Sequence, residues 1–114
     1  MPEKGQRTIV VTGGSRGIGR AICLALAMPD THIYFNYLNP GDPEGEAAAA
    51  AQTEKLVAQS KATASSQSVN VASEDEVNGF FDTIISETGR IDIFAIYLKT
   101  VQIAIGVRMG TPCQ

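Results

Sequence analysis

Residues 7–12, Arg-Thr-Ile-Val-Val-Thr, run without a break into Gly13-Gly14-Ser15-Arg16-Gly17-Ile18-Gly19. A short β-branched apolar run of this kind reads as a strand buried on both faces. Behind the glycines, residues 20–28 read as a helix, with Ile22 and Leu26 four positions apart and Ala21 and Ala25 beside them. Pro29 ends that helix, because the residue before a proline avoids helical backbone. A buried strand, a glycine turn and a helix in immediate succession constrain the chain strongly. The strand needs neighbours on both edges and helices on both faces.

The rest of the chain supplies them in alternation. Residues 31–37, Thr-His-Ile-Tyr-Phe-Asn-Tyr, are aromatic and β-branched and predict a second strand. Asn39-Pro40-Gly41-Asp42-Pro43 marks a loop. Residues 44–60 predict a helix whose alanine run, 47–51, suits packing against a sheet, and residues 66–71 predict a weaker third strand. Ser73 and Glu76 form a capping-box pattern ahead of an apolar stripe at Val77, Phe80, Phe81, Ile84 and Ile85, and Gly89 fits the position just past the helix end. Residues 91–96 predict a fourth strand. The order β-α-β-α-β-α-β with short connections implies parallel strands joined by right-handed crossovers, a doubly wound α/β sheet.

Charge and composition exclude several classes. The 9 Lys and Arg are scattered and outnumbered by 12 Asp and Glu, which argues against a nucleic-acid surface. With 44% hydrophobic and 18% charged residues the chain is too apolar for a disordered one. No apolar run approaches the ~18 residues that span a membrane, and residues 1–12 lack the apolar stretch of a signal peptide. Cys23 and Cys113 read as unpaired thiols in a reducing cytoplasm, a disulfide between them being the alternative. Neither they nor His32 show metal-ligand spacing.

The glycine turn is where chemistry is expected. Gly13 permits the tight turn, while Gly17 and Gly19 let backbone approach a pyrophosphate and let the helix pack closely on the strand. Free N–H groups at the helix start would meet phosphate charge. A glycine turn kept only for close packing is the competing reading. A P-loop is excluded, since no Gly-Lys-Ser/Thr follows. Cofactor choice follows from the second strand. An NAD site places Asp or Glu at its end to bond the ribose hydroxyls, whereas this chain has Asn36-Tyr37-Leu38. Arg16 in the turn offers a guanidinium to a 2′-phosphate. Both features favour NADP(H) over NAD(H).

The spacing Thr12-Gly13-x-x-x-Gly17-x-Gly19 resembles that of the short-chain dehydrogenase/reductase family. Within it, Thr-Gly-Gly-Ser-Arg-Gly-Ile-Gly-Arg-Ala-Ile is similar to 3-oxoacyl-(acyl-carrier-protein) reductases, and Phe35-Asn36-Tyr37 and Gly89-Arg90-Ile91-Asp92-Ile93 resemble further family segments. The resemblance covers residues 7 to about 95. It implies a Rossmann-like sheet and NADPH-dependent reduction of a carbonyl, with a 3-oxoacyl thioester of fatty acid synthesis, free or linked to acyl carrier protein, as substrate. It adds Ser15, Ile18, Asn36, Tyr37, Asn70 and Val71 to Gly13, Arg16, Gly17 and Gly19 as cofactor-binding residues. Asn70-Val71 stands where the family has an Asp-Val pair against the adenine.

The resemblance stops near the fourth strand. The family's Asn-Asn-Ala-Gly is replaced by Ile96-Tyr97-Leu98-Lys99. Its catalytic Ser and Tyr-x-x-x-Lys are expected beyond residue 114, and Tyr34, Tyr37 and Tyr97 are followed four residues on by Leu38, Gly41 and Val101. No catalytic residue is assigned. Residues 1–95 therefore read as the cofactor-binding half and 96–114 as a divergent tail. That tail is either the product of a frameshift or a natural segment whose residues 100–107 alternate as a strand does. Without later strands the fourth would be an exposed apolar edge, so self-association or a disordered tail is expected. A non-catalytic NADP-binding module and an inert truncated product are the alternatives to a reductase.

Overall fold

The computed structural model describes residues 6–97, 102–105 and 109–110. Its elements are β1 (Arg7–Val11), α1 (Gly17–Leu26), β2 (Thr31–Tyr37), α2 (Pro43–Ala58), β3 (Thr63–Ser68), α3 (Glu74–Thr88), β4 (Arg90–Ile91), β5 (Ile93–Tyr97), β6 (Gln102–Ile105) and β7 (Met109–Gly110). The main sheet has the order β3-β2-β1-β5-β6. β1, β2, β3 and β5 run parallel, and β6 returns antiparallel along β5. The connections follow the expected doubly wound α/β pattern, with β1 central, between β2 on one side and β5 on the other.

Alternation along the central strands sorts the core onto two faces. Ile9 and Val11 of β1 and Ile33 and Phe35 of β2 pack with Cys23 and Ala27 of the α1 segment and with Ala50, Val57 and Ala62 of the α2 segment. Val10 and Tyr34 point the other way, to Val69, Phe80, Ile84 and Ile91. Each large side chain moved fully out of water here contributes roughly 1.5–3 kcal/mol. Cys23 is a free, fully buried thiol whose pKa burial pushes up to about 12, so it is inert at neutral pH. Its proposed partner Cys113 lies outside the described residues.

Four expectations need correction. The third strand is Thr63–Ser68, not 66–71. It is an edge strand of small polar residues, paired to β2 in the register His32↔Thr63 to Tyr37↔Ser68. Such an edge is held by its backbone ladder and carries little apolar alternation to read. The valines that suggested a strand fall just past its end, with Val69 continuing the ladder by donating to the Tyr37 carbonyl at 3.0 Å. The fourth strand is broken at Asp92, whose carboxylate Oδ2 accepts the Thr8 N–H at 2.8 Å, where a strand partner would have offered a backbone carbonyl. The alanine run packs less than expected: Ala50 is buried while Ala47, Ala48 and Ala51 are exposed. Finally, β6 covers the outer edge of β5 through the pairs Phe94↔Ile105 to Tyr97↔Gln102, so the fourth strand is not the exposed edge. β6 falls inside the stretch 100–107 that alternation allowed as a strand; tail disorder concerns residues outside those described.

The helix ends behave as their residues dictate. Ser73 Oγ accepts the Glu76 N–H at 3.3 Å. Glu76, instead of closing the box on Ser73, accepts the N–H of Asn70 at 2.9 Å. Gly89 ends α3 at φ 78°, a left-handed conformation that disfavours side chains. Among the described residues no helix is long and apolar enough to cross a membrane, and no group of three or more His, Cys, Asp or Glu is placed to hold a metal ion.

His32 is 4% exposed, with Nδ1 at 2.5 Å from Thr63 Oγ1 and Nε2 at 2.9 Å from Ser65 Oγ. Burial holds its pKa below the ordinary 6.5 although Glu87 pulls the other way. The unfolded chain thus takes up this proton before the folded one does. Stability is full above pH 6.5 and falls as the pH drops through the window below it. We expect the melting temperature to decline as the pH falls from about 6.5 to about 5, and His32→Gln to remove part of that slope. Equal slopes in the two proteins would exclude His32 as the cause.

Candidate nucleotide site

The glycine turn lies at the C-terminal end of β1, beside the loops that leave β2 and β3. This is where β1 has its neighbours on opposite sides, the crevice in which open α/β sheets receive ligands. Gly13 and Gly17 take φ of 70° and 55°, left-handed values that a side chain disfavours. At Gly19 and Gly14 the constraint is space. A Cβ on Gly19 would lie 1.8 Å from the Gly13 carbonyl oxygen, and one on Gly14 would lie 2.6 Å from the Phe35 ring. A Cβ on Gly17 would meet nothing within 4 Å, so the turn is open on that side. α1 starts at Gly17 without a side-chain cap from Arg16 and without an acidic residue in its first turn. Its end is therefore electropositive and suited to a phosphate.

Four side chains hold the turn. Asn36, 4% exposed, accepts the Gly13 N–H on Oδ1 at 2.9 Å and donates from Nδ2 to the Val69 carbonyl at 2.9 Å. Its own carbonyl accepts the Gly14 N–H at 3.1 Å. One side chain thus ties the ends of β1, β2 and β3 together. Arg20 donates from Nη2 to the carbonyls of Ser15 at 2.7 Å and Ala49 at 2.9 Å, and from Nε to Thr53 Oγ1 at 2.8 Å. Buried Thr53 in turn donates to the Gly14 carbonyl at 2.9 Å. The fourth is Glu46. Its Oε2 accepts the Ser15 hydroxyl, and its Oε1 accepts Arg16 Nε at 2.9 Å and Asn39 Nδ2 at 3.3 Å. Burial alone would raise the Glu46 pKa, but these donors and the Arg16 charge outweigh it and hold the carboxyl below its usual value.

The expected site residues therefore divide by role. Arg16, Gly17, Ile18 and Val71 are exposed at the crevice, Gly13, Tyr37 and Asn70 are half-buried, and Ser15, Gly19 and Asn36 are buried. Ile18 and Val71, at 46% and 50% exposure, are large apolar side chains left facing solvent. Asn36, expected among the cofactor-binding residues at the end of β2, is occupied in bracing the turn. Asn70 folds on itself, its Oδ1 accepting the Ala72 N–H at 2.9 Å, and so shapes the lead into α3. Between the turn and α3 lies an apolar cavity of about 230 Å³ whose lining includes Thr12, Asn36, Val69, Val71, Phe80 and Phe94.

Arg20, Glu46 and Thr53 are the functional side chains that sequence reasoning missed. The signal was present in α2, where the buried positions are Glu46, Ala50, Thr53 and Val57, one helical face. Two polar residues on the inward face of an alanine-rich helix call for buried partners.

A glycine turn feeding an uncapped helix at the switch point of a parallel sheet defines the class of dinucleotide-binding α/β proteins. The short chain dehydrogenase family matches residues 7–97, and the chain belongs to that family. It is 34% identical over 87 residues to 3-oxoacyl-[acyl-carrier-protein] reductase of Staphylococcus epidermidis, a match covering 76% of this chain and 33% of that relative. The chain thus spans about a third of the length of the curated relatives it matches. Among solved structures, a short-chain dehydrogenase/reductase from Burkholderia xenovorans superposes with TM-score 0.72 at 21% identity, covering 82% of this chain and 36% of that one. A metagenomic short-chain oxidoreductase in complex with NADP gives 0.66 at 24% identity (80% and 38% covered). An NAD+-bound xylitol dehydrogenase gives 0.65 at 29% identity (81% and 33% covered).

The crowding at Gly19 and the open space at Gly79 give their alanine substitutions opposite effects. Gly19→Ala should lower unfolding free energy by roughly 3 kcal/mol, since backbone must shift to admit the methyl group. Gly79→Ala, on an exposed stretch of α3 where a Cβ meets nothing within 4 Å, should raise it by roughly 0.5–1 kcal/mol. Urea denaturation reads both. Similar effects from the two would contradict the close approach at Gly19.

Proposed function

We propose that the crevice binds a nicotinamide dinucleotide, NADP(H) in preference to NAD(H), and that the chain is the cofactor-binding part of a carbonyl reductase. The observation that carries this reading is the turn itself, with its open Gly17 side, the uncapped start of α1 and the Arg16 guanidinium exposed beside them. These residues fit a pyrophosphate at the helix start. The apolar cavity beside Val69 and Val71 suits an adenine ring, and exposed Ile18 suits a flat apolar group across the turn. The end of β2 carries Asn36 and Tyr37, with no carboxylate to repel a 2′-phosphate. When bound, the nicotinamide supplies the hydride. This chain's own residues bind and orient: the glycines admit the backbone, Asn36, Arg20 and Thr53 keep the turn in place, and Arg16 supplies charge.

The likeness to 3-oxoacyl-[acyl-carrier-protein] reductases supports a 3-oxoacyl thioester as the substrate class. Neighbours solved with NADP and with NAD+ support the cofactor class and leave the choice to the residues at Arg16 and at the end of β2.

Fluorescence titration of the chain with NADPH, and with NADH as control, tests the reading. Saturable binding with NADPH preferred is expected. Arg16→Gln should weaken NADPH by about tenfold at low salt and leave NADH within about twofold, because a charge-assisted contact to phosphate is lost. A folded chain that binds neither would overturn the proposal.

A further inference from the structure

Glu46 places a buried carboxylate among donors that the site would otherwise offer to a phosphate. Its side chain is 8% exposed, while that of Arg16 is 57% exposed. Ser15 and Arg16 belong to the glycine turn, and Asn39 follows the end of β2. All three donate to the one carboxylate. The Arg16 Nη2 adds a long contact to the Gly45 carbonyl at 3.5 Å. A phosphate ester at the end of β2 needs the same kinds of donor, a hydroxyl, a guanidinium and an amide. Two anions on one guanidinium repel each other.

We infer that Glu46 is a resident anion in the 2′-phosphate cradle, and that it sets how strongly this site prefers NADP(H) over NAD(H). The inference rests on the nucleotide reading above. Entry of a 2′-phosphate requires Arg16, on its exposed side chain, to turn from Glu46 to the incoming group, and requires Ser15 to exchange acceptors. A cofactor without that phosphate leaves the Glu46 contacts in place. Asp42 and Glu44, which stand in the same turn at the start of α2, add negative charge but are exposed and screened.

The test is the ratio of NADPH to NADH affinity in the wild-type chain, in Glu46→Gln and in Glu44→Gln. Gln keeps the shape of Glu46 and removes its charge. A unit charge about 6 Å from a doubly charged phosphate alters binding by about tenfold even in water-like surroundings. The ratio should therefore rise by about tenfold in Glu46→Gln and by less than about twofold in Glu44→Gln. NADH affinity reports whether the turn is intact, because the two cofactors differ only in the 2′-phosphate. A ratio unchanged or lowered in Glu46→Gln overturns the inference and leaves the nucleotide reading standing, as does an equal rise in Glu44→Gln. Absence of saturable binding by either cofactor removes the nucleotide reading and this inference with it. A second measurement needs no variant. In the wild-type chain the Arg16 Nε–H resonance should move on addition of NADP+ and hold with NAD+, whereas an equal response to both overturns the inference.

Discussion

The carbonyl of Gly13 and the α-carbon of Gly19 lie so close that no side chain fits between them. This contact sets where α1 begins relative to the end of β1, and through that the placement of the helix N–H groups that face the crevice. It also lets Cys23 and Ala27, further along α1, reach Ile9 and Phe35 in the core. A strand buried on both faces has little freedom to adjust. The geometry of the turn therefore carries through to the packing of an entire face of the sheet.

Such a turn exposes backbone groups that a helix or sheet would have paired, and the molecule answers with side chains from other elements. Asn36 supplies both an acceptor and a donor, Thr53 a donor to Gly14, and Arg20 donors to Ser15 and Ala49. Polar groups buried in this way stabilise only when the set is complete, since each orphaned group would cost about 1–3 kcal/mol. Most of the set comes from α2 and the end of β2. The element richest in alanine thus does more for the crevice than the composition of that helix would suggest.

How much of this was legible depends on whether a residue's partner was near in sequence. The stripe at Val77, Phe80, Phe81, Ile84 and Ile85 and the cap residues Ser73 and Gly89 act within one helix, and their spacing placed α3 well. β1 and β2 were equally plain, because strands buried on both faces show as continuous apolar runs. β3 was displaced by three residues because an edge strand of Thr, Ala, Ser and Gln is defined by what it pairs with. Asp92 likewise breaks its strand through a bond to Thr8, 84 residues earlier. At the site, the glycines could be read from their spacing, whereas the bracing roles of Asn36, Glu46 and Thr53 depend on contacts more than 20 residues apart.

The bonds from α2 to the turn also bear on how the molecule opens. Glu46, Ala49 and Thr53 occupy one side of α2 and hold the backbone or side chains of Gly14, Ser15, Arg16 and Arg20. α2 cannot lift from the sheet without releasing these groups together, although the central strand beneath can keep its own ladder. The α2-facing side of the turn thus opens with α2 in local unfolding, while Asn36 keeps the other side on β2. The carbonyls of Gly14 and Ser15 are then released on the schedule of a helix that begins 26 residues after α1 does, whereas the Gly13 and Gly14 amides follow Asn36 on β2.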